Sequence, residues 1–258
     1  MERALAGLLL AGAIAAGARR ARSLSSDGAI AAVAVGTATT IAGWRWALIV
    51  ILFFVTSTAL SRFRRATRDA RVGSIVEKGN ERDAYQVLAN GGVFAAAAVI
   101  ASVTGDPNWA AGALGAVAAA TSDTWGTEIG TLAARPPRSI VSFRTLEPGT
   151  SGGVTGPGTL ASLVGAALIA LVAVAAGLST EPTAIVVGGV AGSLADSLAG
   201  ATVQERRWCD RCSRFTERRV HSCGSPTGVS GGVAGLRNDV VNVLCTLVGG
   251  GVAFTLAR

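Results

Sequence analysis

Two aspartates, Asp123 and Asp196, lie inside long uncharged stretches of the chain. A carboxylate in such a setting is costly, and it marks a functional position before a structural one. Glu128 follows Asp123 closely, Asn238, Asp239 and Asn242 open the last apolar stretch, and Gln86 and Asn90 stand near the start of another. Carboxylates contributed by distant segments suit Mg²⁺, which bridges polyphosphate oxygens. The other reading of these polar residues is that they are hydrogen-bond partners holding helices together.

Two glycine-rich loops follow the two aspartates. Residues 148–156 and 227–235 both contain Ser-Gly-Gly-Val-x-Gly. Loops without side-chain bulk expose successive backbone N–H groups, and a helix N-terminus adds a positive dipole. Thr150, Ser151, Gly152 and Gly153 in one loop, and Ser230, Gly231 and Gly232 in the other, are thus candidate phosphate contacts. Ser197 and Gln204, near Asp196, join them. Lys78, the sole lysine, and Arg82 would neutralise phosphate charge. The plain alternative is that the loops are turns that let helices pack. Gly-x-x-x-x-Gly-Lys is absent, which argues against a soluble-type nucleotide fold. With one histidine in the chain, no Ser/His/Asp or Cys/His nucleophile system is readable.

That histidine belongs to another set. Cys209-x-x-Cys212 is followed by His221-Ser222-Cys223, four soft ligands at a spacing that suits tetrahedral zinc. A closed site with four protein ligands has no open position for catalysis, so Zn²⁺ here would be structural; incidental surface cysteines are the alternative. Residues 204–227 read as a zinc-knuckle-like insertion in an otherwise single integral-membrane domain, 1–258. Cys245 lies in an apolar stretch and reads as packing.

The elements that must position these residues follow from composition. Of 258 residues half are apolar and 15% are charged, against about 25% in an ordinary soluble domain. Mean hydropathy is +0.49. So few charges cannot coat a water-soluble globule of this size. A net charge of +7 would suggest nucleic acid. Here, however, the basic residues form short runs between apolar stretches, the pattern of a polytopic membrane protein with no nucleic-acid partner. The fold class is all-α: a transmembrane bundle of about eight spans, at 4–18, 28–43, 46–61, 84–103, 109–134, 155–178, 183–203 and 240–257. The first span also resembles a signal peptide, with Ala16-Gly17-Ala18 as a cleavage site.

All of the 23 Lys and Arg residues except Arg3, Arg45 and Arg258 fall in alternate loops. The positive-inside rule then places both termini outside, the basic loops in the cytoplasm, and the chain in the inner (cytoplasmic) membrane. Each polar residue singled out above falls in the cytoplasmic half of its span. Arg82, Gln86 and Asn90 recur at a spacing that stacks them on one helix face, with Asn80 as N-cap and Asp83 completing a capping box. Glu128 is about 140° from Asp123 on a regular helix, so Gly126 breaks the helix or Glu128 has a separate task. The shared loop motif, with Asp123-Thr124 and Asp196-Ser197, suggests a tandem repeat related by an axis along the membrane normal.

Lys78-Gly79 through Gln86–Gly91, Ser122–Gly130, Pro148–Val154, Gly192-Ser193 to Asp196-Ser197, Gly200–Gln204 and Asn238–Asn242 resemble, in this order, the motifs of an integral-membrane family. It is the family of transmembrane protein 19 and the plant phytyl-phosphate kinase, known as domain of unknown function 92. The resemblance implies phosphorylation of a prenyl monophosphate to the diphosphate by a nucleoside triphosphate, ATP or CTP, with Mg²⁺. It implies an isoprenoid lipid phosphate as substrate, and membrane lipid around the helices. Asp123 and Asp196 would hold Mg²⁺ with help from Glu128 and Asp239. The same parts would serve a nucleotidyltransferase that forms a CDP-lipid, and intramembrane carboxylates in a repeated fold also suit a carrier or flippase for lipid phosphates. Lipid chain length and oligomeric state are left open.

Overall fold

A computed structural model describes residues 2–76 and 81–257. Lys78 and Asn80 lie outside the described residues. Long helices occupy all eight segments read as spans: α1 (Glu2–Arg20), α2 (Ser26–Ala42), α3 (Trp44–Arg62), α5 (Ala84–Thr104), α6 (Pro107–Gly130), α7 (Gly156–Ala175), α8 (Pro182–Thr202) and α9 (Asn238–Leu256). A short amphipathic helix, α4 (Arg65–Val72), lies between α3 and α5. Five of the long helices, α3, α5, α7, α8 and α9, are apolar enough over 18 residues to cross a membrane; α2 is apolar but has 17 residues. Length and composition therefore support five spans among the described residues, and the expected count of eight is not established.

The helix boundaries follow local chemistry. Ser25 caps α2 by accepting from the Gly28 N–H, and Thr155 caps α7 by accepting from the Gly158 N–H. At α5 the cap is Asp83, not Asn80. Its side chain accepts from the Gln86 N–H, and the Gln86 side chain accepts from the Asp83 N–H, a full capping box. Arg82 consequently lies outside the helix, bridged to Leu24, and does not stack with Gln86 and Asn90 on a helical face. Proline at the first turn starts α6 and α8.

α6 is the axis of the bundle. It packs against α3, α5, α7, α8 and α9, and every residue from Ala111 to Ser122 is buried. Its side chains there are nearly all Ala, Gly or other small groups, which lets backbones approach closely and explains why α6 falls short in apolarity: its neighbours are helices. At Gly249 of α9, a Cβ would lie 2.5 Å from the Ala119 Cβ and 2.8 Å from the Gly115 carbonyl. Around this axis Trp46, Ile49, Phe53, Phe94, Leu114, Val117, Ile169 and Ile185 fill the core.

The four basic loops gather at one end of the bundle. Arg62 donates to the Ala21 carbonyl at 2.7 Å, and Arg71 donates to the Ala133 carbonyl at 3.0 Å. Thr216 donates to the Ser74 carbonyl at 2.9 Å. Two small sheets form here. In one, β1 (Arg138–Ser139) pairs with β2 (Gly153–Val154), antiparallel. The other has the order β4-β3-β5, from β3 (Arg206–Cys209), β4 (Arg214–Thr216) and β5 (Gly228–Gly231), all antiparallel.

Candidate functional site

Asp123 and Asp196 line the same cavity, close enough that each carboxyl acts electrostatically on the other. Asp123 is seven residues from the end of α6, and Asp196 is six from the end of α8. Oδ2 of Asp196 is buried and has no hydrogen-bond partner among the described residues. Two carboxylates facing one cavity, one of them with a buried oxygen short of a donor, suit a cation or a shared proton. The pair opens into a cavity of about 1030 Å³, above the roughly 300–1,000 Å³ of most small-molecule sites.

Gln86, Asn90, Glu128, Thr150, Ser151, Gly152, Gly153, Ser197, Asn238 and Asn242 line the same cavity. Asn238 and Asn242 are one turn apart on α9 and share its inner face. Asp239 is not among the lining residues. α6 runs through Gly126 without a break and brings Glu128 to the cavity wall, where it accepts from Ser61 at 2.6 Å and pairs with Arg68. Both partners are mostly buried, with side chains 14% and 13% exposed. Burial lowers the Arg68 proton affinity, but the charge and hydrogen bond of Glu128, with help from Asp69, outweigh it and leave it raised. Glu128 thus holds an arginine at the rim, a task separate from that of the aspartates.

Arg82 is elsewhere. It lines an apolar groove of about 90 Å³ between α1, α2, α3 and α5, with Leu10, Ile14, Val50 and Phe54. Its guanidinium donates to Thr58 at 3.2 Å and lies 5.8 Å from the Phe54 ring centre. Burial pulls its proton affinity down, and the charge of Glu128 pulls it up. Gln86 and Asn90 line both the groove and the cavity, so the two compartments meet at these amides.

The two glycine loops do not fold alike. In the first, Gly152 takes a left-handed backbone at φ 78°, and Ser151 donates to Glu217. The Gly153 N–H is used internally, donating to the Thr150 carbonyl at 3.1 Å, so it is not available to a ligand. In the second, Ser230 and Gly231 belong to β5, and Ser230 donates to the Arg206 carbonyl at 3.2 Å. Here the second glycine of the motif, Gly232, takes the left-handed backbone, at φ 73°. Ser230, Gly231 and Gly232 are edge and turn residues of the β3–β5 sheet, away from the cavity lining. The motif repeats in sequence without repeating in backbone shape.

One cavity residue carries no sequence signal. Glu217, just after β4, lines the cavity with its neighbour Arg218 and acts electrostatically on Asp196. Besides Ser151, it accepts from Gln204 Nε2 at 2.9 Å. Gln204 therefore reaches the site through Glu217 and does not line the cavity.

The Cys/His ligand atoms of Cys209, Cys212, His221 and Cys223 all lie within 4.8 Å of one another. Sγ of Cys209 and Sγ of Cys223 are 3.7 Å apart, too far for a disulfide and close to the edge of about 3.8 Å that tetrahedral Zn–S bonds of about 2.3 Å imply. His221 Nδ1 is 3.3 Å from Cys223 Sγ. The Ser225 hydroxyl, then His221, hold the Cys223 thiol down to about 5, while hydrogen bonding to Cys223 pushes Cys212 up to about 11. Four soft ligand atoms gathered this closely could hold a metal ion.

A helical membrane bundle with a carboxylate-paired polar cavity at one end is the class that fold and site define. The family description "Integral membrane protein DUF92" matches residues 9–250, and the chain belongs to that family. Protein PGR of Arabidopsis thaliana is 30% identical over 268 aligned positions, covering 93% of this chain and 91% of the relative. The uncharacterized membrane protein MJ0933 of Methanocaldococcus jannaschii is 32% identical over 240, covering 90% and 85%. No solved structure matches.

Proposed function

We propose that the protein is a membrane-embedded prenyl-phosphate kinase, transferring a phosphoryl group from a nucleoside triphosphate to an isoprenoid lipid monophosphate. The observation that carries this reading is the Asp123–Asp196 pair with its orphaned Oδ2, in the wall of a large cavity that adjoins an apolar groove. Asp123 and Asp196 would hold Mg²⁺, which neutralises charge on the phosphate oxygens when bound. The polar cavity takes the nucleotide. The groove seats the part of the lipid nearest its head group, and the rest of the tail runs into the bilayer. Gln86 and Asn90, which face both compartments, position the acceptor phosphate between them.

The acceptor needs no strong base, because the second pKa of a phosphate monoester is about 6 and the group is largely dianionic near neutral pH. An acceptor oxygen forms a bond to the γ-phosphorus, the bond from that phosphorus to the β–γ bridging oxygen breaks, and the nucleoside diphosphate leaves with its electron pair. Alignment and charge neutralisation are what such a transfer requires. Arg68 and Arg218 at the cavity wall are the described cations placed to assist. Zn²⁺ at Cys209, Cys212, His221 and Cys223 is structural in this reading. The excess of basic residues in the loops at the cavity end supports placing that end in the cytoplasm, with both termini outside.

The test supplies purified protein in detergent with a short prenyl monophosphate, ATP or CTP, and Mg²⁺. A lipid diphosphate with nucleoside diphosphate is expected. Inorganic pyrophosphate with a CDP-lipid would replace kinase by nucleotidyltransferase. Consumption of neither substrate would overturn both enzyme readings and favour a carrier.

A further inference from the structure

The Cys/His module reaches back into the bundle through three consecutive residues. Thr216 donates to the Ser74 carbonyl at 2.9 Å, the Glu217 N–H donates to the Ile75 carbonyl at 2.8 Å, and Arg218 Nε donates to the Val76 carbonyl at 2.8 Å. These contacts fix a strand-like edge against residues 74–76. Glu217 then bridges two elements that are distant in sequence. Its Oε1 accepts from Ser151 of the first glycine loop and from Gln204 beyond the end of α8. The loop has almost no slack there, since a Cβ on Gly152 would strike Ala201 of α8 at 2.5 Å. Residues 216–218 lie between Cys212 and His221, so both ends of the segment are tied to the ligand cluster.

A small three-stranded sheet cannot hold such an edge by its own core, and structural metal sites commonly supply what is missing. Here the sheet's ring contact is Trp208 against Phe215, 4.8 Å between centres. We propose that metal bound at Cys209, Cys212, His221 and Cys223 acts as a remote clamp on the cavity: it fixes Glu217, and Glu217 fixes the 149–153 loop beside the aspartate pair. Glu217 is a positioning residue, and the metal is a structural requirement of the cavity wall. The inference concerns loop order and does not depend on which group the protein transfers.

The experiment is hydrogen exchange of residues 149–153 read by mass spectrometry, with elemental analysis of metal on the same purified samples. One zinc per chain is expected in the wild type and none in Cys212→Ser. Loop amides are expected to exchange roughly tenfold faster in Cys212→Ser and in Glu217→Ala, as the charge-assisted tie to Ser151 is lost. Glu217→Ala keeps its zinc, so it tests the tie even if the cysteine variant does not fold. Glu217→Gln keeps the accepting oxygen and should restore slow exchange, which a merely space-filling role would not predict. Wild-type protein without transition metal, or a loop indifferent to Glu217→Ala, would overturn the proposal. Neither result bears on kinase activity, and absent turnover with the expected exchange pattern would leave the clamp standing.

Discussion

Ser122 and Ser162 exchange hydrogen bonds: each hydroxyl donates to the other's carbonyl, at 2.7 and 2.9 Å. The pair locks α6 to α7 at the residue just before Asp123. It also fixes how far the helices stand apart, because Gly126, one turn on, sits directly against the Ser162 hydroxyl. Interhelical hydrogen bonds of this kind are worth about 0.6 kcal/mol on average in a membrane bundle. Ser122→Ala should therefore lower unfolding stability by about that much, and Ser122→Ala with Ser162→Ala by about twice as much. Denaturant titration in detergent micelles checks both values.

The aspartate pair makes a prediction with opposite signs for stability and activity. Asp123→Asn and Asp196→Asn each remove one ionisable carboxyl from the pair that lines the cavity. Each variant should match or exceed the wild type in thermal stability in the absence of Mg²⁺, because repulsion is relieved. Each should lose transfer activity by at least about a hundredfold, as is common when preorganised charge is removed. Thermal melts and product assays on the same preparations measure the two effects. Wild-type rates in both variants would exclude these carboxylates from any metal-binding role.

Arg82 offers a test of the groove. Among the described residues its guanidinium makes one hydrogen bond, to Thr58, with an aromatic ring beside it, which gives it capacity for an anion. Arg82→Ala should raise KM for the lipid phosphate about tenfold while KM for the nucleotide holds, the loss of one charge-assisted contact. Val50→Trp, which narrows the groove, should raise KM for acceptors of any chain length and leave KM for the nucleotide unchanged. Steady-state kinetics would show it, and an unchanged KM for the lipid would count against the groove as the seat of the segment next to the head group.

The small sheet should be acid-sensitive through Glu205. The Gly235 N–H and then the Arg207 guanidinium hold its carboxyl below the ordinary glutamate range. Since the folded value is the lower one, this stabilisation is complete above the ordinary range and is lost as pH falls through the folded value. Trp208 fluorescence, sensitive to the Phe215 contact, should report unravelling of the sheet in acid. In Glu205→Gln that part of the pH dependence should vanish, and the sheet should be weaker at neutral pH.

Much of this site is legible in the sequence, for a specific reason. Asp123 and Asp196 interrupt apolar runs, and a charge there has few structural explanations. The run lengths locate the eight long helices to within a few residues, although not how many of them span a bilayer. Glu217 is invisible by the same logic. It stands in a polar loop among arginines, where one more charge is ordinary, and it reaches the cavity only through contacts with residues 74–76 far away in the chain. The bracket of Cys212 and His221 around it is the one usable hint. The glycine motifs mislead because composition sets what a loop can do and neighbours set what it does: Gly152 turns against Ala201, while Gly232 turns against the Gln204 carbonyl. The expected stacking of Arg82 with Gln86 and Asn90 on one helix face fails for a local reason, since Asp83 caps the helix and Arg82 lies outside it.

The poverty of α6 in bulky side chains has a consequence for how the protein is made. A segment this rich in alanine and glycine has little tendency to leave a translocation channel for lipid on its own. It is joined to α5 by the short Gly105-Asp106 connection, and its other partners, α7, α8 and α9, are synthesised later. The central helix thus depends on companions that emerge from the ribosome after it, and an added methyl group along its buried run would be felt when they close on it, since a Cβ on Gly115 would lie 2.3 Å from the Ala253 Cβ.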